Sequence, residues 1–296
     1  MGKEFEAKGI IVALATPLDA GEGVDEIGLR RLVNHVLAGG IHGILALGSQ
    51  GEFYGLTASK KKTVLEIVTD EVHGRLPIYA GTGSCTTRDT IALTRMAEEI
   101  GADAVTVITP YFLSPSGREL YDHYAAVAAA TKLPVLLYTN PARTGVNLTA
   151  ELVGRLSRIE NIVGIKDSLG DLGEIMEYIR VCRDGFSVLA GKDTLIYATL
   201  QCGGQGAISA TANVVPDLVV EIYEALLAGD AAKSLAAQRR LAPLRLAFSL
   251  GTFPVVVKEA LSMMGICSAG TLAPVGPLAE KERGILKTVL EDLEIL

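Results

Sequence analysis

Eight short runs rich in apolar and β-branched residues recur along the chain, each followed by a stretch with helical periodicity. The runs are Gly9–Ala15, His42–Leu47, Pro77–Ala80, Ala104–Ile108, Pro134–Tyr138, Ile162–Lys166, Phe186–Ala190 and Gly206–Ser209. Their starts are spaced by about 28 residues, room for one strand, one helix and two short loops. Such alternation marks repeated βα units around a parallel sheet. A count of eight favours a closed (β/α)8 TIM barrel of the α/β class over an open doubly wound sheet, which would alternate in the same way.

The 296 residues exceed the roughly 250 typical of such barrels. Past Ala228 the strand signals stop, and helical patterns run over residues 231–249, 253–264 and 279–293. The reading is a barrel over residues 1–228 and a C-terminal helical region over residues 229–296, packed on the barrel and not forming a second core. Thr57 and Thr149 each precede a helical pattern and are expected to cap it.

Bulk properties narrow the function. With 49% hydrophobic residues the chain can fill a large core, and a formal net charge of −7 argues against a nucleic-acid partner. The charged segment Met1–Lys8 lacks the apolar stretch of a signal peptide, and no run approaches the roughly 20 apolar residues of a membrane helix, so a cytoplasmic location without a membrane partner is expected. Cys85, Cys182, Cys202 and Cys267 show no paired spacing and are expected as small buried hydrophobes; the four histidines have no second ligand at metal spacing, so no metal site is expected.

Chemistry concentrates at the expected carboxyl ends of the strands, where barrels of this kind carry their catalytic groups. Lys166 closes an apolar run. Desolvation there disfavours the ammonium form and favours a neutral amine able to attack a carbonyl carbon; the alternative is a lysine reaching past the strand end into water. The second run leads into Gly48-Ser49-Gln50-Gly51-Glu52, where two glycines let consecutive amides converge on a carboxylate or phosphate, unless the turn is only a tight βα connection. Tyr138 ends the fifth run and either packs in the core or, beside Lys166 and the Ser49 hydroxyl, relays protons. Arg143 either holds a substrate carboxylate bidentately or pairs with a surface acid. The glycine clusters Gly81-Thr82-Gly83-Ser84 and Gly203-Gly204-Gln205-Gly206 lack dinucleotide spacing, and no nucleotide cofactor is implied.

Taken in order, Gly48-Ser49-Gln50-Gly51-Glu52, Tyr138 with Asn140-Pro141-Ala142-Arg143-Thr144-Gly145, Gly164-Ile165-Lys166-Asp167, Gly203-Gly204-Gln205-Gly206-Ala207-Ile208-Ser209 and Lys258-Glu259-Ala260-Leu261 resemble the dihydrodipicolinate synthase and N-acetylneuraminate lyase family over essentially the whole chain. The resemblance implies a (β/α)8 barrel with a C-terminal helical region, assembled as a homotetramer of two tight dimers. It also implies a class I aldolase or lyase that needs no cofactor beyond the lysine imine formed with its substrate. Lys166 would bind pyruvate or another 2-oxo acid as the Schiff base, Tyr138 would relay protons and Ser49 would supply the neighbouring hydroxyl. The turn opened by Gly48 would hold the keto-acid carboxylate on the Ser49 and Gln50 amides. Ile208 would present its carbonyl near the lysine, and Arg143 would hold the carboxylate of the aldehyde.

Departures bear on the substrate. The synthases carry two threonines where this chain has Ser49-Gln50, and a tyrosine reaching in from a neighbouring subunit where this chain has Phe112. Feedback-regulated synthases carry an asparagine and a glutamate where this chain has Cys85 and Asp89. The first expectation is a dihydrodipicolinate synthase-like lyase acting on pyruvate and aspartate semialdehyde. The second is an aldolase for a 2-keto-3-deoxy sugar acid or 4-hydroxy-2-oxoglutarate using the same lysine. The third is a non-catalytic barrel that binds a keto acid.

Overall fold

In the computed structural model, which describes residues 5–296, eight strands close into one parallel barrel in sequence order. They are β1 (Gly9–Ala13), β2 (Gly43–Ala46), β3 (Ile78–Gly81), β4 (Ala104–Ile108), β5 (Val135–Thr139), β6 (Ile162–Asp167), β7 (Ser187–Ala190) and β8 (Gly206–Ser209). Every residue of every strand is buried, as expected of a parallel sheet covered on both faces. Alternation sorts the side chains. Ile10 and Val12 pack outward against helices, while Ile11 and Ala13 join Leu45, Tyr79, Leu136, Leu189 and Ile208 inside the barrel.

Six of the eight strands differ from the sequence reading by one or two residues at an end. β1 stops at Ala13, and β2 stops at Ala46 because Leu47 turns the chain aside with φ +59°. β6 gains a residue, so that Asp167 and not Lys166 ends it. Closure between β1 and β8 aligns Gly9 with Gly206, and a Cβ on Gly206 would lie 2.1 Å from the Gly9 carbonyl oxygen. Only glycine allows the strands to meet there.

Thr57 and Thr149 cap their helices as expected, each side chain accepting from the amide three residues on. Ser116 and Glu119 form a reciprocal capping box at the head of the helix Gly117–Ala129. In the C-terminal region, the helices Ala231–Leu246, Val255–Met263 and Glu280–Asp292 follow one another, with a 3-10 turn over Ala247–Leu250. The cysteine expectation needs correction: all four are free but only partly buried, Cys182 and Cys267 packing against the core from its margin. Of the charged N-terminal segment, the first four residues lie outside those described. Among the described residues, no single helix is long and apolar enough to cross a membrane.

Candidate active site

A cavity of about 190 Å³ opens at the carboxyl end of the barrel. Its floor is built from Ala13, Tyr138, Lys166 and Ile208, and the loops after β2, β5, β7 and β8 wall it. The sequence reading brought Ser49, Gln50, Tyr138, Arg143, Lys166 and Ile208 to this end, and all six line the one cavity.

Lys166 is 4% exposed, which disposes of the alternative in which it reaches into water. Its ammonium nitrogen lies 4.3 Å from the centre of the Tyr138 ring, and the two residues stand opposite each other in the β5–β6 ladder. That alignment depends on an irregularity. Val135 pairs with Ile162 but Leu136 pairs with Gly164, so Val163 is an extra residue. A regular ladder would have set Ile165 against Tyr138, and a one-residue slip of a strand exchanges its faces. Gly164 makes the close approach possible, since a Cβ there would stand 2.6 Å from the Ser187 carbonyl oxygen.

The Tyr138 hydroxyl lies 3.4 Å from the Ser49 hydroxyl and accepts a hydrogen bond from Asn140 Nδ2 at 3.0 Å. Burial pushes the phenol up, but the Lys166 charge together with hydrogen bonds from Ser49, Asn140 and Ser168 outweighs it, and the net shift is downward. Tyr138 is therefore poised to give up its proton more readily than an ordinary tyrosine.

Ser49 and Gln50 enter the cavity on a single 3-10 turn that follows Gly48. The turn uses the amides of Gly51 and Glu52, which donate to the carbonyls of Gly48 and Ser49, so those of Ser49 and Gln50 lead it and point beyond it. The backbone before the turn is strained, with Leu47 in the left-handed region. Gly81 on β3 accommodates it: a Cβ there would be 2.1 Å from the Leu47 oxygen. Gly48 itself does not line the main cavity but a small adjoining cleft with Phe53, Gly81 and Thr106. Gln50 is buried, its Nε2 donating at 3.5 Å to Pro254 while its Oε1 has no partner.

Arg143 sits on the short helix Pro141–Thr144 after β5, its guanidinium 4.6 Å from the centre of the Phe253 ring. No acid among the described residues pairs with it, so the surface-pair alternative finds no partner. Thr144 fixes this loop through hydrogen bonds with Thr109 and with the Asn140 carbonyl.

Sequence reasoning passed over several residues of the site. Asn140 lies within a motif of the resemblance and Ser168 one residue past another, and neither carries an assigned role. Lys192, Asp193, Arg245, Phe248 and Phe253 also line the cavity, three of them from the C-terminal region. Their only sequence signal is position after a strand or on a helix, which does not reveal what they face. Phe112 is 95% exposed, with φ +72°.

The model of the dihydrodipicolinate synthetase family matches residues 6–293. This chain belongs to that family. It is 38% identical over 294 residues to the 4-hydroxy-tetrahydrodipicolinate synthase of Methanopyrus kandleri, covering 99% of this chain and 98% of the relative. It is 40% identical over 289 residues to the enzyme of the same name from Syntrophus aciditrophicus, covering 98% and 99%. Among solved structures, the dihydrodipicolinate synthase of Thermotoga maritima superposes with a TM-score of 0.96 at 32% identity, covering 99% and 100%. YagE of E. coli K12, a family member solved in complex with pyruvate, gives 0.95 at 36% identity, covering 98% and 99%. The family membership makes the chain a class I aldolase or lyase type of enzyme on a TIM barrel.

Proposed function

We propose that this chain is a lyase that joins or splits pyruvate and an aldehyde through an imine on Lys166, of the 4-hydroxy-tetrahydrodipicolinate synthase kind. The observation that carries the reading is a buried lysine amine against a tyrosine whose phenol meets a serine hydroxyl, in one cavity. The Lys166 amine adds to the keto carbon of pyruvate, giving a carbinolamine that loses water to form the imine. Loss of a C3 proton gives the enamine, whose C3 attacks the aldehyde carbon. Tyr138 and Ser49 pass the protons that dehydration and the final alcohol require. The free amides of Ser49 and Gln50 hold the pyruvate carboxylate, the turn after Gly48 sets their angle, and Ile208 contributes its carbonyl beside the lysine. No cofactor takes part beyond this covalent imine.

Arg143 grips the carboxylate of the aldehyde, which favours aspartate semialdehyde. A second reading, cleavage of a 2-keto-3-deoxy acid, is supported by Gln50 in the cavity lining, where the synthases are expected to carry a threonine, and by the missing hydroxyl at Phe112. The same proposal divides the chain into a barrel over residues 1–228 and a helical region over residues 229–296 that closes the cavity. It also has the protein act in the cytoplasm as a homotetramer. An aromatic side chain held outward in a left-handed backbone is suited to a neighbouring subunit and supports that assembly.

Pyruvate with borohydride should attach a three-carbon acid to Lys166, located by peptide mass mapping. Turnover is then compared between pyruvate plus aspartate semialdehyde and a panel of 2-keto-3-deoxy acids. A hundredfold preference for such an acid would move the assignment to the second reading, and failure to label Lys166 would end both.

A further inference from the structure

The cavity lining is rich in cations, in a chain whose formal net charge is −7. Arg143, Lys192 and Arg245 all line it. They arrive from three places: the loop after β5, the loop after β7 and the C-terminal helix Ala231–Leu246. None of the three has an ion-pair partner among the described residues. The one carboxylate in the lining, that of Asp193, is buried and already occupied by the amides of Ala210 at 3.3 Å and Thr211 at 2.9 Å.

Lys192 and Arg245 are each partly buried, so their charge is less screened than that of a surface side chain. Arg245 is held by its own helix end, with the guanidinium 4.8 Å from the centre of the Phe248 ring. Arg143 is held in the same manner by Phe253. Stacking on an aromatic face limits the positions of a guanidinium while leaving its N–H donors free.

We infer that Lys192 and Arg245, acting with Arg143, are specificity-determining residues that select a second substrate with an oxyanionic group at the end remote from its carbonyl. This rests on the lysine-imine reading and deepens it. One arginine would suffice for a single exposed carboxylate; three unpaired cations converging on one cavity match a terminal group carrying one or two negative charges, a carboxylate or a phosphate. The C-terminal region thereby contributes to substrate choice and not only to stability.

The test uses aldehydes that differ only at the far end, each condensed with pyruvate: D-glyceraldehyde against its 3-phosphate, and butyraldehyde against succinic semialdehyde. The pairs separate phosphate from carboxylate as the preferred group. The charged member of at least one pair should be used at least tenfold better in kcat/KM. That ratio should fall at least tenfold in Lys192→Ala and in Arg245→Ala, through KM for the charged aldehyde, with partial recovery in Arg245→Lys. Borohydride labelling of Lys166 by pyruvate is measured in the same preparations. Labelling with an unchanged ratio, or with no charged aldehyde preferred or turned over, overturns the cationic rim alone. No labelling of the wild-type protein overturns the imine reading beneath it.

Discussion

Tyr138 stands directly across the β5–β6 ladder from Lys166, and it does so because Val163 is an extra residue in β6. The bulge carries the lysine onto the face where the phenol can share its protons. It also explains why Gly164 precedes the pair, since the displaced strand passes close to the Ser187 carbonyl.

Tyr138→Phe should lower kcat by about 10²–10⁴-fold, the usual effect of losing a positioned proton donor, with a much smaller change in pyruvate labelling of Lys166. The phenylalanine keeps the ring packed beside the amine, so a loss of labelling equal to the loss of rate would make Tyr138 a packing residue. Single-turnover kinetics alongside borohydride trapping distinguish the two.

Glu52 and Lys258 are 206 residues apart and form an ion pair with neither side chain exposed. Glu52 follows the Ser49–Gly51 turn and its second oxygen accepts from the Leu272 amide at 2.8 Å, so the pair ties that turn to the C-terminal region. Burial pushes the Lys258 amine down against the opposing pull of Glu52. Lys258→Met should leave the Glu52 carboxylate buried and uncompensated and cost about 3–5 kcal/mol, read as the shift in a urea midpoint. A change under about 1 kcal/mol would show that water reaches Glu52.

Asp167 has one carboxylate oxygen held by the Leu169 and Gly170 amides and the other without a partner. Burial, opposed by those amides, pushes its carboxyl up to about 6 from an ordinary 3.8. Both folded and unfolded forms are protonated below about pH 3.8, so there the group has no effect. Between about pH 4 and pH 6 the unfolded chain releases this proton first, and stability falls as the pH rises. Asp167→Asn, which keeps an acceptor for the amides, should gain about 2 kcal/mol relative to wild type between pH 4 and pH 7. A pH-independent difference in denaturation midpoints would contradict this origin.

L-lysine should not inhibit. Cys85 and Asp89 occupy the positions where feedback-regulated relatives in the family are expected to carry an asparagine and a glutamate. A thiol cannot replace the hydrogen bonds of an amide, and the Asp89 carboxylate is already engaged by Arg88 Nε at 3.1 Å. Millimolar L-lysine in a steady-state assay should leave the rate unchanged; inhibition at that concentration would show that the effector site tolerates both replacements.

The sequence by itself determined the barrel, because strand and helix periodicities are local and eight βα units leave few ways to bury their apolar faces. It also determined which end holds the chemistry: Ser49, Tyr138, Lys166 and Ile208 follow or close strands, and parallel topology sends those ends to one side. Tertiary structure decided the rest. A single extra residue in β6 set Lys166 against Tyr138, and periodicity cannot register such a slip within a strand buried on both faces. Lys192, Arg245 and Phe253 reach the cavity from a loop and two C-terminal segments, and the pair of Glu52 with Lys258 joins residues far apart in the chain. Contacts of that range are fixed by how the helical region packs on the barrel, and no spacing in the sequence encodes them.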